Sequence, residues 1–229
     1  MSISVIIPAY NEEQIIGATI DTVYRFLADN YDKYQIVVVN DGSTDDTLGE
    51  ISKFPYVTCV SYEDRHGKGY ALKKGVEKAW GDFIVLYDAD MAYSAEYIIK
   101  AHKLLTHFDI VAGTRDGIMR KDYSPIRQQL SKGFSKYVDR NLNLGISDTQ
   151  CGFKVLRSTV AKRIFPLAQL NGFAFDVEIF ALAKKYGYTV AEMPVSVCEE
   201  VRPSRVNPII DGLGMAGDVQ KIKTRLRSM

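Results

Sequence analysis

The sequence predicts an α/β fold in which helices cover both faces of a mostly parallel central sheet. Short apolar runs, which are typical of buried strands, alternate with amphipathic helical patterns through the first half of the chain. The 229 residues suffice for one large α/β domain. No linker rich in Gly, Ser or Pro, no repeat and no low-complexity tract divides them, so we predict a single domain over residues 1–229.

The first half is predicted to contain five strands, at residues 3–8, 35–41, 57–62, 82–88 and 109–114. Asn11 is the expected N-cap of the first helix, and Ser43 or Thr44 that of the second. A third helix is predicted at 67–80 and a fourth near 95–106. The glycines and Lys68 at the start of the third helix lack the spacing of a phosphate-binding loop, so they predict only a tight turn.

The second half is less regular. Residues 124–142 and 173–187 have helical patterns, and residues 189–197 predict a short strand that Pro194 interrupts. Residues 145–153 predict a turn-rich loop.

The composition excludes several classes of protein. A formal net charge of +1 gives no field that would attract nucleic acid. The three scattered cysteines offer neither a disulfide framework nor metal-binding spacing. The first residues lack the basic region of a signal peptide, and no apolar stretch approaches the roughly 20 residues that cross a bilayer. We therefore expect a cytoplasmic protein that is soluble or lies on a membrane surface.

Polar side chains follow three of the predicted strands. Tyr10 and Glu12 come after the first, Asp41 ends the second, and Asp88 and Asp90 follow the apolar part of the fourth. Because the carboxyl ends of parallel strands share one edge of a sheet, these side chains should line one cleft. Two carboxylates, together with phosphate oxygens and water, suit Mg²⁺ or Mn²⁺. The alternative is that each Asp forms a turn or caps the next helix.

The motifs PAYNEE, VVVNDGSTDDT, GKGYAL and YDAD occur in an order and spacing that resemble glycosyltransferase family 2. Two later segments, SDTQCGFKVLR and FAFDVEIFALAKKYGY, are similar to the polyprenyl-phosphate sugar synthases of that family, and most of all to its dolichyl-phosphate β-glucosyltransferase branch. The resemblance covers essentially the whole chain. It implies the nucleotide-binding GT-A fold and the transfer of a hexose, with inversion, from a nucleotide sugar to a polyprenyl or dolichyl phosphate.

The resemblance also implies roles for individual residues near the strand ends. Asp88 and Asp90 would carry the Mg²⁺ or Mn²⁺ ion and the diphosphate. Relatives that transfer mannose often have a Gln ligand two residues after the second Asp, where this chain has Ala92. This departure weakens the mannosyl alternative, and the resemblance of the segment QCGFK favours UDP-glucose as the donor. The residues that would hold the nucleobase and ribose are Pro8, Tyr10, Glu12, Val39, Asp41, Asp88 and Ala89.

Further residues match family positions that contact phosphate or sugar. Guanidinium groups suit phosphate because they bind its oxygens in pairs. Asp90, Arg127 and Arg205 are the residues expected to act in catalysis. The implied phosphate contacts are Arg115, Arg127, Arg202, Ser204 and Arg205. The residues implied for the sugar or acceptor site are Asp148, Gln150 and Glu178.

The nature of the acceptor decides how much chemistry the chain must supply. A sugar hydroxyl needs a general base, whereas a polyprenyl phosphate is already anionic near neutral pH. A lipid acceptor also requires contact with a membrane. Residues 210–229 place basic residues beside apolar ones, which predicts a helix on the cytoplasmic face of a membrane.

Several alternatives stay open at this point. The chain could use a saccharide acceptor with Asp176 or Glu178 as base, or act as a GDP-mannose-dependent polyprenyl-phosphate mannosyltransferase. UDP-N-acetylglucosamine is a further possible donor. A nucleotide-sugar-binding regulator without catalysis is the alternative outside the enzymes. The sequence leaves the sugar, the nucleobase, the lipid and the oligomeric state undetermined.

Overall fold

The computed structural model describes the backbone of residues 1–115, 125–198 and 210–229, and the side chains of 1–115, 133–198 and 214–229. Within these ranges, one sheet contains the strands β1 (Ile3–Ala9), β2 (Tyr34–Asp41), β3 (Thr58–Tyr62), β4 (Phe83–Leu86), β5 (Ile110–Thr114), β6 (Lys154–Arg157) and β7 (Val190–Pro194). The α-helices are α1 (Ile16–Asn30), α2 (Thr47–Ser52), α3 (Lys68–Lys78), α4 (Tyr97–Leu104), α5 (Pro125–Leu142), α6 (Ser158–Ile164), α7 (Phe175–Lys185) and α8 (Ile210–Ser228).

The strands lie in the order β3-β2-β1-β4-β6-β5-β7. Strands β1 to β4 pair in parallel, and so do β5 and β7. Strand β6 runs antiparallel to both of its neighbours, β4 and β5. The predicted α/β class with a mostly parallel sheet is confirmed. Because β6 is reversed, it begins at the same edge at which β4 and β5 end.

Helices cover both faces of the sheet, as strands that are apolar on both sides require. On one face, Val5 and Val38 pack in a cluster with Ile20 of α1. On the other face, Ile6 packs in a cluster with Leu72 of α3, to which residues of α6 and α7 also belong. The polar ends of the strands are thereby left at the edges of the sheet.

Two predicted helix starts are wrong. Helix α1 begins at Ile16 and α2 at Thr47, both later in the chain than expected. The Asn11 side-chain oxygen accepts a hydrogen bond from the Thr44 amide at 2.8 Å, and the Ser43 hydroxyl accepts one from the Asn11 amide at 3.0 Å. These side chains join the loop after β1 to the loop after β2 instead of capping a helix. They fix the two loops beside the sheet edge.

Helix α8 packs against the body of the domain. Val219 and Ile222 are buried in a cluster with Val177 of α7. These apolar side chains, which we expected to face lipid, therefore lie inside the protein. A membrane-surface role for this helix then depends on its exposed basic residues, such as Lys221 and Arg227. Among the described helices, none is both long enough and apolar enough to cross a bilayer.

The packing of α3 on the sheet leads to a first prediction. A Cβ atom at Gly75 would lie 2.3 Å from a methyl carbon of Ile6. Gly75→Ala is therefore expected to lower the free energy of unfolding by about 1–3 kcal/mol through overpacking. In α1, a Cβ atom at Gly17 would meet nothing closer than 3.7 Å. Gly17→Ala is the matched control, and should leave stability unchanged or raise it by up to about 1 kcal/mol. Urea unfolding of both variants measures the difference, and equal stabilities would contradict the close contact at Gly75.

Candidate active site

Side chains from several strands meet at one edge of the sheet. Strands β1, β2, β4 and β5 end there. Asp41 is the last residue of β2, and Tyr10, Asp88 and Arg115 come shortly after β1, β4 and β5. Strand β6 begins at the same edge with Lys154. The predicted common edge is confirmed. It is the place at which open α/β sheets bind ligands.

Asp41 fixes the loop between β3 and α3. The residue is only 3% exposed. Its carboxylate accepts hydrogen bonds from the Tyr62 hydroxyl at 2.9 Å and from the amides of His66 and Gly67 at 2.9 and 2.8 Å. The pKa of Tyr62 is raised mainly by burial and secondly by the hydrogen bond to Asp41. The hydroxyl therefore stays protonated and acts as a donor. Asp41 thus shapes the part of the edge at which a nucleobase was predicted.

The ring of Tyr10, predicted to stack on a nucleobase, lies against Arg65. The guanidinium carbon is 4.1 Å from the ring centroid, a cation–π contact. Pro8 lies beside Val39 across β1 and β2. Val39 is fully buried in the core, so the structure does not place it where a nucleotide could touch it. This corrects its predicted role as a nucleotide contact.

Two more of the predicted nucleotide contacts are held by neighbouring helices. The Glu12 amide donates a hydrogen bond to the Thr47 hydroxyl at 2.8 Å. The Ala89 carbonyl accepts one from the Thr19 hydroxyl of α1 at 2.6 Å. The backbone on either side of the cleft is therefore anchored in the domain.

Asp88 forms an ion pair with Lys68, the first residue of α3. The ammonium nitrogen lies 2.5 Å from the carboxylate oxygen, and about a quarter of each side chain is exposed, 28% and 27%. Burial alone would raise the pKa of Asp88, but the charge and hydrogen bond of Lys68, together with the charges of Lys154 and Arg115, hold that pKa below its ordinary value. The carboxylate is therefore ionised at neutral pH.

The backbone of Gly152 lies directly behind this carboxylate. A Cβ atom there would fall 1.7 Å from the second oxygen of Asp88, which is closer than any two such atoms can approach. Only glycine permits Asp88 its observed position. The loop before β6 is thus part of the site.

Arg115 and Asp148 bind each other. The guanidinium donates two hydrogen bonds to the carboxylate, at 2.7 and 2.9 Å. Burial would raise the pKa of Asp148, but Arg115 outweighs it and lowers that pKa. The adjacent Gln150 carries a buried side-chain NH₂ that has no acceptor in the described part of the chain. Its predicted role at the sugar or acceptor site stays a prediction.

Lys154 and Asp176 form a buried ion pair beside Asp88. Their atoms are 2.7 Å apart, and the two side chains are 1% and 8% exposed. Lys154 also donates a hydrogen bond to the carbonyl of Cys151, in the loop that contains Gly152. The pair therefore connects α7 to the loop behind Asp88.

Comparisons with known proteins agree with this geometry. The family model described as "Glycosyl transferase family 2" matches residues 4–165. That match takes in strands β1 to β6, and it covers all the residues discussed above except Asp176. The chain belongs to glycosyltransferase family 2.

Curated relatives in this family are similar over almost the whole chain. The dolichyl-phosphate beta-glucosyltransferase of Dictyostelium discoideum is 31% identical over 97% of this chain and 74% of its own length. The human enzyme of the same name is 30% identical over 97% of this chain and 75% of its own. The resemblance stated from the motifs is confirmed.

Solved structures confirm the GT-A glycosyltransferase fold. Mannosyl-3-phosphoglycerate synthase from Rubrobacter xylanophilus superposes with a TM-score of 0.76 at 22% identity, over 100% of this chain and 74% of that one. A Mycobacterium tuberculosis glucosyl-3-phosphoglycerate synthase in complex with Mn²⁺, UDP and phosphoglyceric acid gives 0.75 at 20% identity, over 98% and 78% of the two chains. At these identities the likeness concerns the fold alone.

The carboxylates of this family 2 chain fit a divalent cation only in part. Within the described ranges, no three His, Cys, Asp or Glu side chains are placed to enclose a metal ion. Asp88 and Asp90 supply hard oxygen ligands, and Mg²⁺ or Mn²⁺ commonly takes one or two carboxylates with phosphate oxygens and water. The donor set therefore suits a cation that arrives with a diphosphate.

Several predicted residues lie outside the described part of the chain. They include the whole of Arg202, Ser204 and Arg205, whereas Arg127 lies in α5 with its side chain outside the described set. Cys198, the last described residue before this segment, donates its amide to the Ala92 carbonyl at 2.9 Å. The roles of these four residues stay predictions.

The structure places Glu178 differently from the prediction. It is completely buried, and its carboxylate accepts hydrogen bonds from the amides of Gln169 and Leu170 at 3.0 and 2.8 Å. It also forms an ion pair with Arg225 of α8. Glu178 therefore lies in the interior and does not line the sugar or acceptor site.

Three residues of the site were missed by sequence reasoning. Lys68 was assigned to a tight turn, and no role was given to Gly152 or Lys154. The signal for Lys68 was a basic residue at a helix start that follows a strand in an α/β pattern. The signal for the other two was a Gly and a Lys that interrupt an otherwise apolar segment, since a buried Lys needs a partner.

The contact at Gly152 gives a second prediction. Gly152→Ala is expected to displace the Asp88 carboxylate and lower the rate of sugar transfer about a hundredfold, since a small misplacement of a positioning group has that effect. Gly145→Ala in the same loop region is a poorer control because Gly145 has a positive φ of 66°. Gly217→Ala in α8, where a Cβ would also meet nothing within 4 Å, should transfer at the wild-type rate. Rates for both variants, with melting temperatures, test this; an active Gly152→Ala would refute the close approach.

Proposed function

We propose that this chain is an inverting glycosyltransferase that moves glucose from UDP-glucose to a polyprenyl or dolichyl phosphate. The observation that carries the proposal is the pairing of the carboxylates at and behind the sheet edge. Asp88, Asp148 and Asp176 are each ion-paired with a cation of the chain. Asp41 and Glu178 each accept backbone amides and are almost or completely buried.

This pairing favours a phosphate acceptor. A sugar hydroxyl must lose its proton to a general base within hydrogen-bond reach. Asp176 and Glu178, the bases that a saccharide acceptor would use, are both buried and engaged. A phosphate monoester has a second pKa of about 6 and attacks as the anion, so it needs no base.

The proposal of a nucleotide-sugar donor rests on the positively charged side chains at the sheet edge. The cations Lys68 and Arg115 lie at the edge where a diphosphate would be bound, and each is held by a carboxylate partner. Arg127, Arg202, Ser204 and Arg205 are proposed to add phosphate contacts. The buried Gln150 amide would donate a hydrogen bond to a hydroxyl of the transferred sugar.

The proposal includes a divalent cation, Mg²⁺ or Mn²⁺, that Asp88 and Asp90 would hold together with the diphosphate. When bound, such a cation neutralises charge on the departing nucleotide. Asp90 is oriented by the bond that its carboxylate accepts from the Ala92 amide at 3.1 Å. Lys68 keeps Asp88 ionised and in place.

The sugar and the acceptor are taken from the names of the curated relatives, and UDP is the nucleotide bound in the Mycobacterium tuberculosis structure. The curated relatives named above are dolichyl-phosphate beta-glucosyltransferases at about 30% identity. A lipid acceptor requires contact with a membrane, and we propose peripheral binding to the cytoplasmic face. The exposed Lys221 and Arg227 of α8 would contribute by attraction to anionic lipid.

A transfer assay tests the proposal. Purified protein is incubated with Mn²⁺ or Mg²⁺, labelled UDP-glucose and a polyprenyl phosphate in detergent, and label is followed into the organic phase. We expect transfer with the lipid phosphate and none with the matched polyprenol, which lacks the anionic nucleophile. Labelled GDP-mannose and UDP-N-acetylglucosamine serve as competing donors.

The outcomes separate the alternatives. Labelling by GDP-mannose alone would replace the glucosyl assignment with a mannosyl one. In a parallel incubation with an oligosaccharide in place of the lipid, release of UDP together with a labelled oligosaccharide would establish a saccharide acceptor. Binding of UDP-glucose without turnover on any acceptor would indicate a regulator.

A further inference from the structure

The loop between α6 and α7, residues 168–172, is held from two sides by charged groups. On one side the fully buried carboxylate of Glu178 accepts hydrogen bonds from the amides of Gln169 and Leu170 at 3.0 and 2.8 Å. Arg225 of α8 pairs with the same carboxylate. On this side, the loop is therefore held by a single buried carboxylate.

On the other side the loop holds the start of α3. The Asn171 carbonyl accepts a hydrogen bond from the Gly69 amide at 2.7 Å. Lys73 of α3 donates to the Asn171 side chain at 2.7 Å and to the Ala168 carbonyl at 3.2 Å. A Cβ atom at Gly67 would lie 2.7 Å from the Asn171 carbonyl oxygen, so the two backbones are in close contact.

Lys68 lies between the two glycines that touch this loop. Its ammonium is 2.5 Å from the Asp88 carboxylate at the sheet edge. The amide of Gly67 is bound to Asp41 from the opposite side. The backbone that carries Lys68 is thus fixed between Asp41 and the loop, and the loop is in turn fixed by Glu178.

We propose that Glu178 is a positioning residue that acts on the active site through Lys68. It touches neither sugar nor acceptor; it holds residues 168–172 so that the Asn171 carbonyl fixes the Gly69 amide and Lys68 reaches Asp88. The inference deepens the proposed function, since it concerns the residue that keeps the donor-site carboxylate in place. Arg225 brings α8 into the same set of contacts.

Hydrogen exchange tests the connection without any substrate. In Glu178→Gln, the charge is lost and one oxygen becomes an NH₂ group, so the single remaining oxygen can accept the loop amides or pair with Arg225, but not both. We expect exchange to become about tenfold faster at Gln169 and Leu170 and also in residues 67–72, which lie in a different element. The matched control is Asp109→Asn, since Asp109 likewise accepts a backbone amide, that of Thr189 at 2.8 Å, but at the opposite edge of the sheet. It should leave exchange in residues 67–72 unchanged.

A double-mutant cycle tests the route through Lys68. With UDP-glucose and a polyprenyl phosphate, Glu178→Gln should lower kcat/KM about tenfold in the wild-type background, and less than about twofold in a Lys68→Met background. A merely structural role would give the same fold-change in both. If Glu178→Gln fails to fold, Lys73→Met replaces it in the cycle. Lys73 is partly exposed and also holds this loop, so Lys73→Met should likewise lower kcat/KM more in the wild-type background than in the Lys68→Met background.

Two results would overturn the proposal. Unchanged exchange in residues 67–72 of Glu178→Gln would show that the loop does not fix α3. Equal fold-changes in the two backgrounds would show that any effect bypasses Lys68. If wild type transfers no glucose, the proposed function fails separately, and the exchange experiment alone decides whether Glu178 positions Lys68.

Discussion

Asp90→Asn is expected to lower the rate of glucose transfer about a thousandfold while the domain stays folded. Asp90 accepts a hydrogen bond from the Ala92 amide at 3.1 Å, and the side-chain oxygen of Asn can accept the same bond. The substitution therefore removes a negative charge and a hard oxygen ligand, but keeps the turn. Loss of several kcal/mol of charge stabilisation at the departing nucleotide corresponds to a factor of about 10³. Initial rates with saturating UDP-glucose and lipid phosphate measure the effect.

The control for this variant is Asp82→Asn. Asp82 accepts the Ser2 amide at 2.7 Å beside the start of β4, the end of the strand opposite the site. It should transfer glucose at the wild-type rate. If Asp90→Asn also stayed within about threefold of wild type at every Mn²⁺ concentration, Asp90 would be only a turn residue.

Lys154→Met should destabilise the domain by about 3–5 kcal/mol, because it leaves the buried carboxylate of Asp176 without a counter-charge. The two groups are 2.7 Å apart and almost inaccessible to water. Loss of the bond from Lys154 to the Cys151 carbonyl also frees the loop that carries Gly152. Urea unfolding at neutral pH measures the change in the free energy of unfolding.

A second substitution separates charge from packing. Lys154→Met combined with Asp176→Leu removes both charges and should recover most of the lost stability, since apolar pairs can replace buried ion pairs. Equal stability of the single and double variants would show that the cost of Lys154→Met is not the unpaired carboxylate. The other basic residue of β6, Arg157, pairs with Asp109 at the opposite end of the strand, so it does not replace Lys154 as a partner.

The apolar runs of β1, β2, β4 and β5 were sufficient to predict these strands, because each is buried on both faces and carries few polar residues. The edge strand β3 was predicted as well, although its residues alternate between partly buried and exposed. Strand β6 was not predicted. Its first residue is Lys154, whose burial depends on Asp176, a partner that lies 22 positions away. No local pattern contains that information. The reversal of β6 within a parallel sheet is likewise a property of the assembled fold.

In the candidate site too, local patterns predicted some residues, whereas contacts between residues distant in sequence were missed. The strand-end carboxylates Asp41 and Asp88 were predicted from their position alone, since parallel strands bring such ends together. Lys68 was missed because its partner is distant in sequence. Glu178 was assigned to the sugar or acceptor site by resemblance to the family, which does not reveal how deeply a side chain is buried. Asn11 was expected to cap a helix, but its side chain joins a second loop. Long-range pairing decided each of these cases.

The reversed strand β6 also governs how the chain can assemble during synthesis. Strand β5 borders β6 and β7, whereas β4 borders β1 and β6. A nascent chain that ends before Lys154 can form a sheet from β1 to β4, but it has no strand on which β5 can dock. The apolar edge of β4 then stays open to pairing with other chains. The two halves of the sheet can therefore join only after the segment through Arg157 has been synthesised and β6 can pair with both β4 and β5.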